Sequence, residues 1–393
     1  MISSRPPPVS IHRRSAVDFT RGYLQMDDLI RPHIAGIEPY VPPDLSGMAH
    51  LAGVRVEELI RLDSNENPYG PSTRAAQAVA EFTEYGFYPD YGELQKAVAV
   101  YAGVEAGQVA LGNGADELID LVMRLVLEPG QSLITCPPAF GMYGFFAALG
   151  RHPVRTVPLG EDFSVDVASI ESLMQGQGNG PQPRLIFLTS PGNPDGQIVP
   201  VDTICRLLQL PLVVVLDEAY IEFAGQFVEP SAVELLPQYE NLIILRTFSK
   251  WAGLAGLRLG YALSSRSLAD GLGRIRAPYN VNSAVMVAGL ATLADLGSVQ
   301  ANVARVISER KRLQRELSAL PWIDPLPSQA NFILCGVSGC SGQEVADWLA
   351  RQGILVRSYS TPGLQGYVRI TVGRPQQNDK LIEALQGMSR SGA

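Results

Sequence analysis

"PLVVVLDEAY", Pro211–Tyr220, is an apolar run rich in β-branched residues that stops on two acids and a tyrosine. It lacks apolar–polar alternation, so the strand it predicts is buried on both faces, as in a parallel sheet covered by helices. Similar runs lie on either side of it: "QVALGNG", "SLITCPP", "PVRTVPL", "RLIFLTS", "NLIILRTFS" and "RLGYAL". Segments of helical period separate several of them, including "ADELIDLVMRLVLEPG", "DVASIESLMQG" and "VDTICRLLQL". The alternation predicts an α/β fold built on a large, mostly parallel, seven-stranded sheet.

The texture changes towards the C-terminus. "VQANVARVISERKRLQRELSAL", Val299–Leu320, repeats apolar residues at helical spacing over about six turns. After it come strand, helix, two strands and helix: "NFILCGV", "GQEVADWLARQG", "ILVRSYS", "YVRITVG" and "NDKLIEALQGM". This reads as a smaller α+β domain joined by the long helix. The expected organisation is a flexible leader over 1–27, an N-terminal arm over 28–75 contributing to the small domain, a large domain over 76–297 and the small domain over 298–393.

The chain has 393 residues, 31 of them basic and 39 acidic, for a net charge of −8. That balance argues against a nucleic-acid partner and against a polybasic membrane patch. No stretch reaches the ~18–20 apolar residues that cross a bilayer; Ser283–Ala294 is uncharged but short, and reads as a buried helix. Cys136, Cys205, Cys335 and Cys340 form no C-x-x-C pair and read as reduced core thiols of a cytoplasmic protein. His12, His33, His50 and His152 show no metal-binding spacing. The leader carries Arg5, Arg13, Arg14 and Arg21 with no apolar secretory core.

The chemistry collects at the C-terminal ends of the predicted strands, where open α/β sheets bind ligands. "LGNGADELIDL" ends a strand on glycines and opens a helix, whose free N–H groups suit an anion. "TSPGNPDG" presents Asn193, which alone reads equally well as a turn residue. "LDEAYIEF" presents Asp217 and Tyr220. "RTFSKWAGLAGLRLGY", Arg246–Tyr261, sets Lys250 just past a strand, with Ser249 before it and Arg258 after it. A lysine in apolar surroundings has a lowered pKa and can act as an amine nucleophile, whereas most lysines only snorkel at surfaces. Together these groups meet the needs of pyridoxal phosphate: a lysine for a Schiff base, an acid for the ring nitrogen, Asn193 and Tyr220 for the phenolate oxygen, and helix N–H groups, Ser249 and Arg258 for the phosphate.

The chain resembles the fold-type-I pyridoxal-phosphate aminotransferases and, within them, the histidinol-phosphate aminotransferase family. The resemblance runs from Ile30 to Met388 and is carried by "IRPHIAGIEPYVPP", "LDSNENPYGPS", "YPDYGELQKAVAVY", "GNGADELIDL", "PGNPDG", "DEAYIEF", "RTFSKWAGLAGLRLGY" and "YVRITVGRP". It implies that Lys250 binds the cofactor covalently and moves the Cα proton, with Asp217 and Tyr220 completing the catalytic group. It implies that Gly114, Ala115, Asp116, Ser249 and Arg258 surround the cofactor phosphate, that Phe140 of "PPAFGMY" stacks on its ring, and that Asn193 contacts its oxygen. Tyr88 is implied to reach the cofactor of a second subunit, so a homodimer with a shared active site is expected. Arg369 is implied to grip the carboxylate of glutamate and Arg357 the substrate phosphate; the alternative for each is a structural salt bridge. Asn67 and Tyr69 are expected at the substrate entrance or in a plain turn. Many relatives read "PNNPTG" where this chain has "PGNPDG". The implied reaction is transamination between L-histidinol phosphate and 2-oxoglutarate in histidine synthesis. Rival readings are another amino-acid aminotransferase, a threonine-phosphate decarboxylase-like lyase, and a non-catalytic cofactor-binding regulator, against which the net charge argues.

Overall fold

A computed structural model describes residues 29–176, 180–225 and 232–391; the expected leader lies outside the described residues. Met1–Pro39 separates as a unit of its own, of which the described part holds one helical turn, Pro32–Ala35. Tyr40–Ala393 forms the second unit.

The strands of that second unit are β1 (Ile60–Leu62), β2 (Val109–Gly112), β3 (Ser132–Thr135), β4 (Val154–Thr156), β5 (Pro183–Thr189), β6 (Val213–Asp217), β7 (Leu242–Thr247), β8 (Gly260–Ser264), β9 (Ile323–Pro325), β10 (Phe332–Val337), β11 (Ile354–Ser358) and β12 (Tyr367–Thr371). The large sheet has seven strands in the order β2-β8-β7-β6-β5-β3-β4. Pairs β3–β4, β3–β5, β5–β6 and β6–β7 are parallel; β8 runs antiparallel to both of its neighbours. β7 is buried at every position, as its unbroken apolar run requires. Alternate residues feed two cores: Leu188, Val214, Leu216 and Ile244 on one face, Leu185, Phe187, Val215 and Leu245 on the other.

The smaller sheet has five strands in the order β1-β11-β12-β10-β9. Two of these, β1 and β9, are three residues long and carry no readable pattern of their own. β1 lies parallel to β11, nearly the length of the chain away. The helix Leu296–Ser318 joins the two sheets, giving Val299, Val303 and Val306 to a large-sheet core and Leu313 and Leu317 to the small-sheet core. Ser283–Leu293 is a packed helix with Val285, Met286, Ala288 and Gly289 buried. No single described helix is long and apolar enough to cross a membrane.

After β1 the chain crosses between the sheets. Asn65 is held in the left-handed region at φ 53° by Thr371 and Asn331: its N–H donates to Thr371 Oγ1 (3.0 Å) and its carbonyl accepts from Asn331 Nδ2 (3.0 Å). Asn67 donates to the Trp251 carbonyl (2.9 Å) and accepts from the Tyr69 N–H (3.0 Å). Gly253, at φ 69°, lies so close to Gly70 that a Cβ there would sit 2.3 Å from its carbonyl. These contacts press the turn 67–70 onto the Lys250 loop.

Candidate active site

Parallel strands β5, β6 and β7 end side by side and deliver Asn193, Asp217 with Tyr220, and Ser249 with Lys250 just beyond them. The helix Gly114–Val126 begins after β2. Six other helices have a side-chain cap, from Asp44, Ser72, Asp166, Ser265, Asn282 and Ser341; this one has none from Asn113. Its first N–H groups, including those of Ala115 and Asp116, therefore stay open to an anion. Arg258, at φ 62°, reaches this start and donates to Asp116 Oδ2 (2.8 Å) and, from Nη1, to Ser249 Oγ (3.4 Å). Gly114 (φ 82°) has to be glycine: a Cβ would come within 2.4 Å of the Arg258 guanidinium.

Asp217 is 4% exposed and forms no ion pair among the described residues. Its Oδ2 accepts from the Tyr143 hydroxyl (2.8 Å) and its Oδ1 from the Ala219 N–H (3.1 Å). Burial pushes the carboxyl up to about 6, against the pull of those donors. Lys250 Nζ donates to the Ser64 carbonyl (3.0 Å) and lies 5.9 Å from the centre of the Tyr220 ring. Burial, with the charge of Arg369 second, lowers its amine to about 8. Near neutrality a useful fraction of it is already the free amine.

The Tyr220 hydroxyl accepts twice, from Asn65 Nδ2 (3.0 Å) and Asn193 Nδ2 (3.4 Å). Both lone pairs are thereby engaged, and its proton is left for an acceptor outside the protein. Burial holds that proton by raising the phenol to about 12. Asn193 Oδ1 in turn accepts from Arg369 Nη1 (2.7 Å), and Arg369 Nη2 donates to the Asp63 carbonyl (2.7 Å). Arg369 is 8% exposed, forms no ion pair among the described residues, and its Nε has no partner. Arg357 is exposed and pairs in register with Arg369 across β11 and β12.

Several of the residues singled out in the sequence thus gather at this sheet edge, in separate hydrogen-bonded groups. Phe140, half-buried after β3, stands edge-on to Tyr143 at 5.7 Å. Asn67 is committed to backbone at both ends of its amide, and Tyr69 lies beneath Arg374 and Arg305, 5.4 and 5.6 Å from its ring centre. Tyr88 makes none of these contacts; it is 78% exposed and stacks on Tyr279 at 4.2 Å. Sequence reasoning passed over Asn65, two residues before Asn67 in the same quoted motif, and Tyr143, one helical turn after Phe140. Spacing alone could have nominated both, but not their partners.

These groups fit pyridoxal phosphate. An uncapped helix start with Arg258 and Ser249 suits its phosphate, a buried carboxylate without an ion-pair partner among the described residues suits its ring N–H, the uncommitted Tyr220 proton suits its phenolate, and a weakly basic lysine suits its aldehyde.

Residues 57–385 match the family described as aminotransferase class I and II. The chain is 44% identical to the histidinol-phosphate aminotransferase of Roseiflexus castenholzii, over 91% of this chain and 97% of that one. It is 42% identical to the chloroplastic histidinol-phosphate aminotransferase 1 of Arabidopsis thaliana, over 95% and 88%. Among solved structures, it is similar to the histidinol-phosphate aminotransferase of Sinorhizobium meliloti in complex with pyridoxal-5'-phosphate, with a TM-score of 0.83, 29% identity, and 93% and 98% of the two chains covered.

Proposed function

The chain belongs to the class I and II aminotransferases and, within them, to the histidinol-phosphate aminotransferases, and on that premise we propose that it moves an amino group between L-histidinol phosphate and 2-oxoglutarate, in histidine synthesis. The observation that carries the reading is Asp217: a buried carboxylate held only by neutral donors, at the same sheet edge as a lysine of lowered basicity.

Pyridoxal phosphate supplies an aldehyde for the amino group and a ring that accepts the electron pair left when the Cα proton departs. Lys250 holds and moves that proton on Nζ, the role for which its lowered pKa suits it. Asp217 keeps the ring nitrogen protonated, a charge that also relieves its own burial. Tyr220 donates to the ring oxygen while Asn65 and Asn193 orient it. Ala115, Asp116, Ser249 and Arg258 anchor the phosphate at the helix start, with Gly114 making room for the arginine. Phe140 would pack against the ring. Arg369 would hold the carboxylate of glutamate through Nε, the guanidinium nitrogen without a partner among the described residues. Arg357 meets the substrate phosphate, and the turn of Asn67 and Tyr69 borders the entrance.

The active form is a homodimer in this reading. Tyr85, Phe87 and Tyr88 are 68–79% exposed, an aromatic surface suited to burial against a second copy. Tyr88 would then reach the partner's cofactor phosphate.

The test is a single half-reaction. Purified holoenzyme is mixed with L-histidinol phosphate, phosphothreonine or phenylalanine, and the cofactor spectrum is followed. Rapid conversion to the aminated cofactor by histidinol phosphate is expected. Conversion by phenylalanine alone favours the rival aminotransferase, and carbon dioxide released from phosphothreonine favours the lyase.

A further inference from the structure

Arg357 and Arg369 stand directly opposite each other on antiparallel strands β11 and β12, which places both side chains on one face. Two like charges in that position disfavour the sheet unless an anion joins them. Tyr359 follows Arg357 by two residues, just past the end of β11 at Ser358. Its hydroxyl is buried and has no hydrogen-bond partner among the described residues. The charges of Arg369 and Arg357 both act on it. Asp195, the carboxylate whose charge also reaches it, instead accepts from the Gln197 N–H at 2.8 Å. A buried hydroxyl without a partner is costly, and Arg369, whose charge acts on it, also has an unpartnered Nε.

The two proposed amino donors differ at this end. Glutamate brings a carboxylate with two oxygens, which one guanidinium edge can satisfy. A phosphate monoester brings three terminal oxygens and a second charge. We propose that Tyr359 is a specificity-determining residue, donating its hydroxyl to the phosphate of L-histidinol phosphate, to an oxygen left over by the Arg357 and Arg369 pair. This rests on the functional reading above.

The test compares wild-type holoenzyme with Tyr359→Phe in half-reactions with L-histidinol phosphate, unphosphorylated L-histidinol and L-glutamate. The variant's apparent Kd for histidinol phosphate is expected to rise about tenfold or more, the size of a lost hydrogen bond to a charged group. Its values for histidinol and glutamate stay at the wild-type level. The substrate-free variant melts at the same temperature as wild type or higher, because an unsatisfied buried group has been removed. An unchanged Kd for histidinol phosphate, an equal loss with all three compounds, or a lowered melting temperature overturns the proposal. If wild type itself ignores histidinol phosphate while accepting another amino donor, the functional reading falls first, and this assignment with it.

Discussion

Asp217 and Glu218 are consecutive carboxylates, 4% and 2% exposed, at the end of the same strand. Glu218 accepts from Arg246 Nε (2.8 Å) and Nη2 (2.7 Å). Asp217 instead accepts from Tyr143. Burial alone would weaken Arg246 as a base, yet Glu218, with Tyr261 and Glu222 behind it, holds its pKa above the ordinary value. Glu218 thus meets a counter-charge inside the protein, whereas Asp217 meets none among the described residues. A buried charge without a partner destabilises a fold, so its presence marks a place where a ligand supplies the opposite charge. Lys250 and Arg369 follow the same rule: the first half-buried and the second buried, each lies against carbonyls or amides and lacks an ion-pair partner among the described residues.

The sharpest test of this division is Lys250→Ala. It is expected to slow the half-reaction by about 10⁴-fold or more while still binding cofactor non-covalently, read by rapid-mixing absorbance. A variant that transaminates normally would end the assignment of these unpaired groups to catalysis.

For the paired acid the loss should appear in stability. Arg246→Met strands Glu218 in the core and is expected to cost about 3–5 kcal/mol in denaturant unfolding. Adding Glu218→Leu recovers most of that loss. If the double variant is as unstable as the single one, the pair is not self-contained.

Asp217→Asn sets catalysis and stability against each other. The half-reaction is expected to slow by about 10²–10³-fold, while the cofactor-free protein gains stability at neutral pH. The sign follows from the raised carboxyl: the folded state binds the proton more tightly than the unfolded one. Wild-type stability from this group is therefore complete below pH 3.8 and is lost as pH rises to about 6. The asparagine variant escapes that loss, an advantage on the order of 2–3 kcal/mol above pH 6 that vanishes in acid. A pH-independent difference between the two proteins would contradict the assignment. The smallest effect belongs to the exposed pair Arg206–Glu171 (2.8 Å), where Glu171→Gln should change stability by less than about 1 kcal/mol.

Much of this was legible before any coordinates. Unbroken aliphatic runs such as "LIIL" declare a strand covered on both faces, because only a doubly buried sheet tolerates them. β1 and β9 were not legible: three residues hold too little pattern, and β1 exists only because β11 pairs with it. Lys250, Asp217 and Asn193 stood out as chemistry at strand ends, and Arg369 through the family resemblance. Asn65, Tyr143 and Tyr359 did not, because each is a neutral residue whose meaning lies in a partner, or the want of one, across the fold.

What the amino-acid order determined by itself was periodicity and turn chemistry, and through them the class of sheet and the residues delivered to its edge. Both are local properties, set by backbone geometry over a few residues. The tertiary structure alone decided which of two adjacent acids is neutralised, which hydroxyl has both lone pairs engaged and which has no partner. Those depend on through-space distance and on removal from water, which chain order does not encode locally.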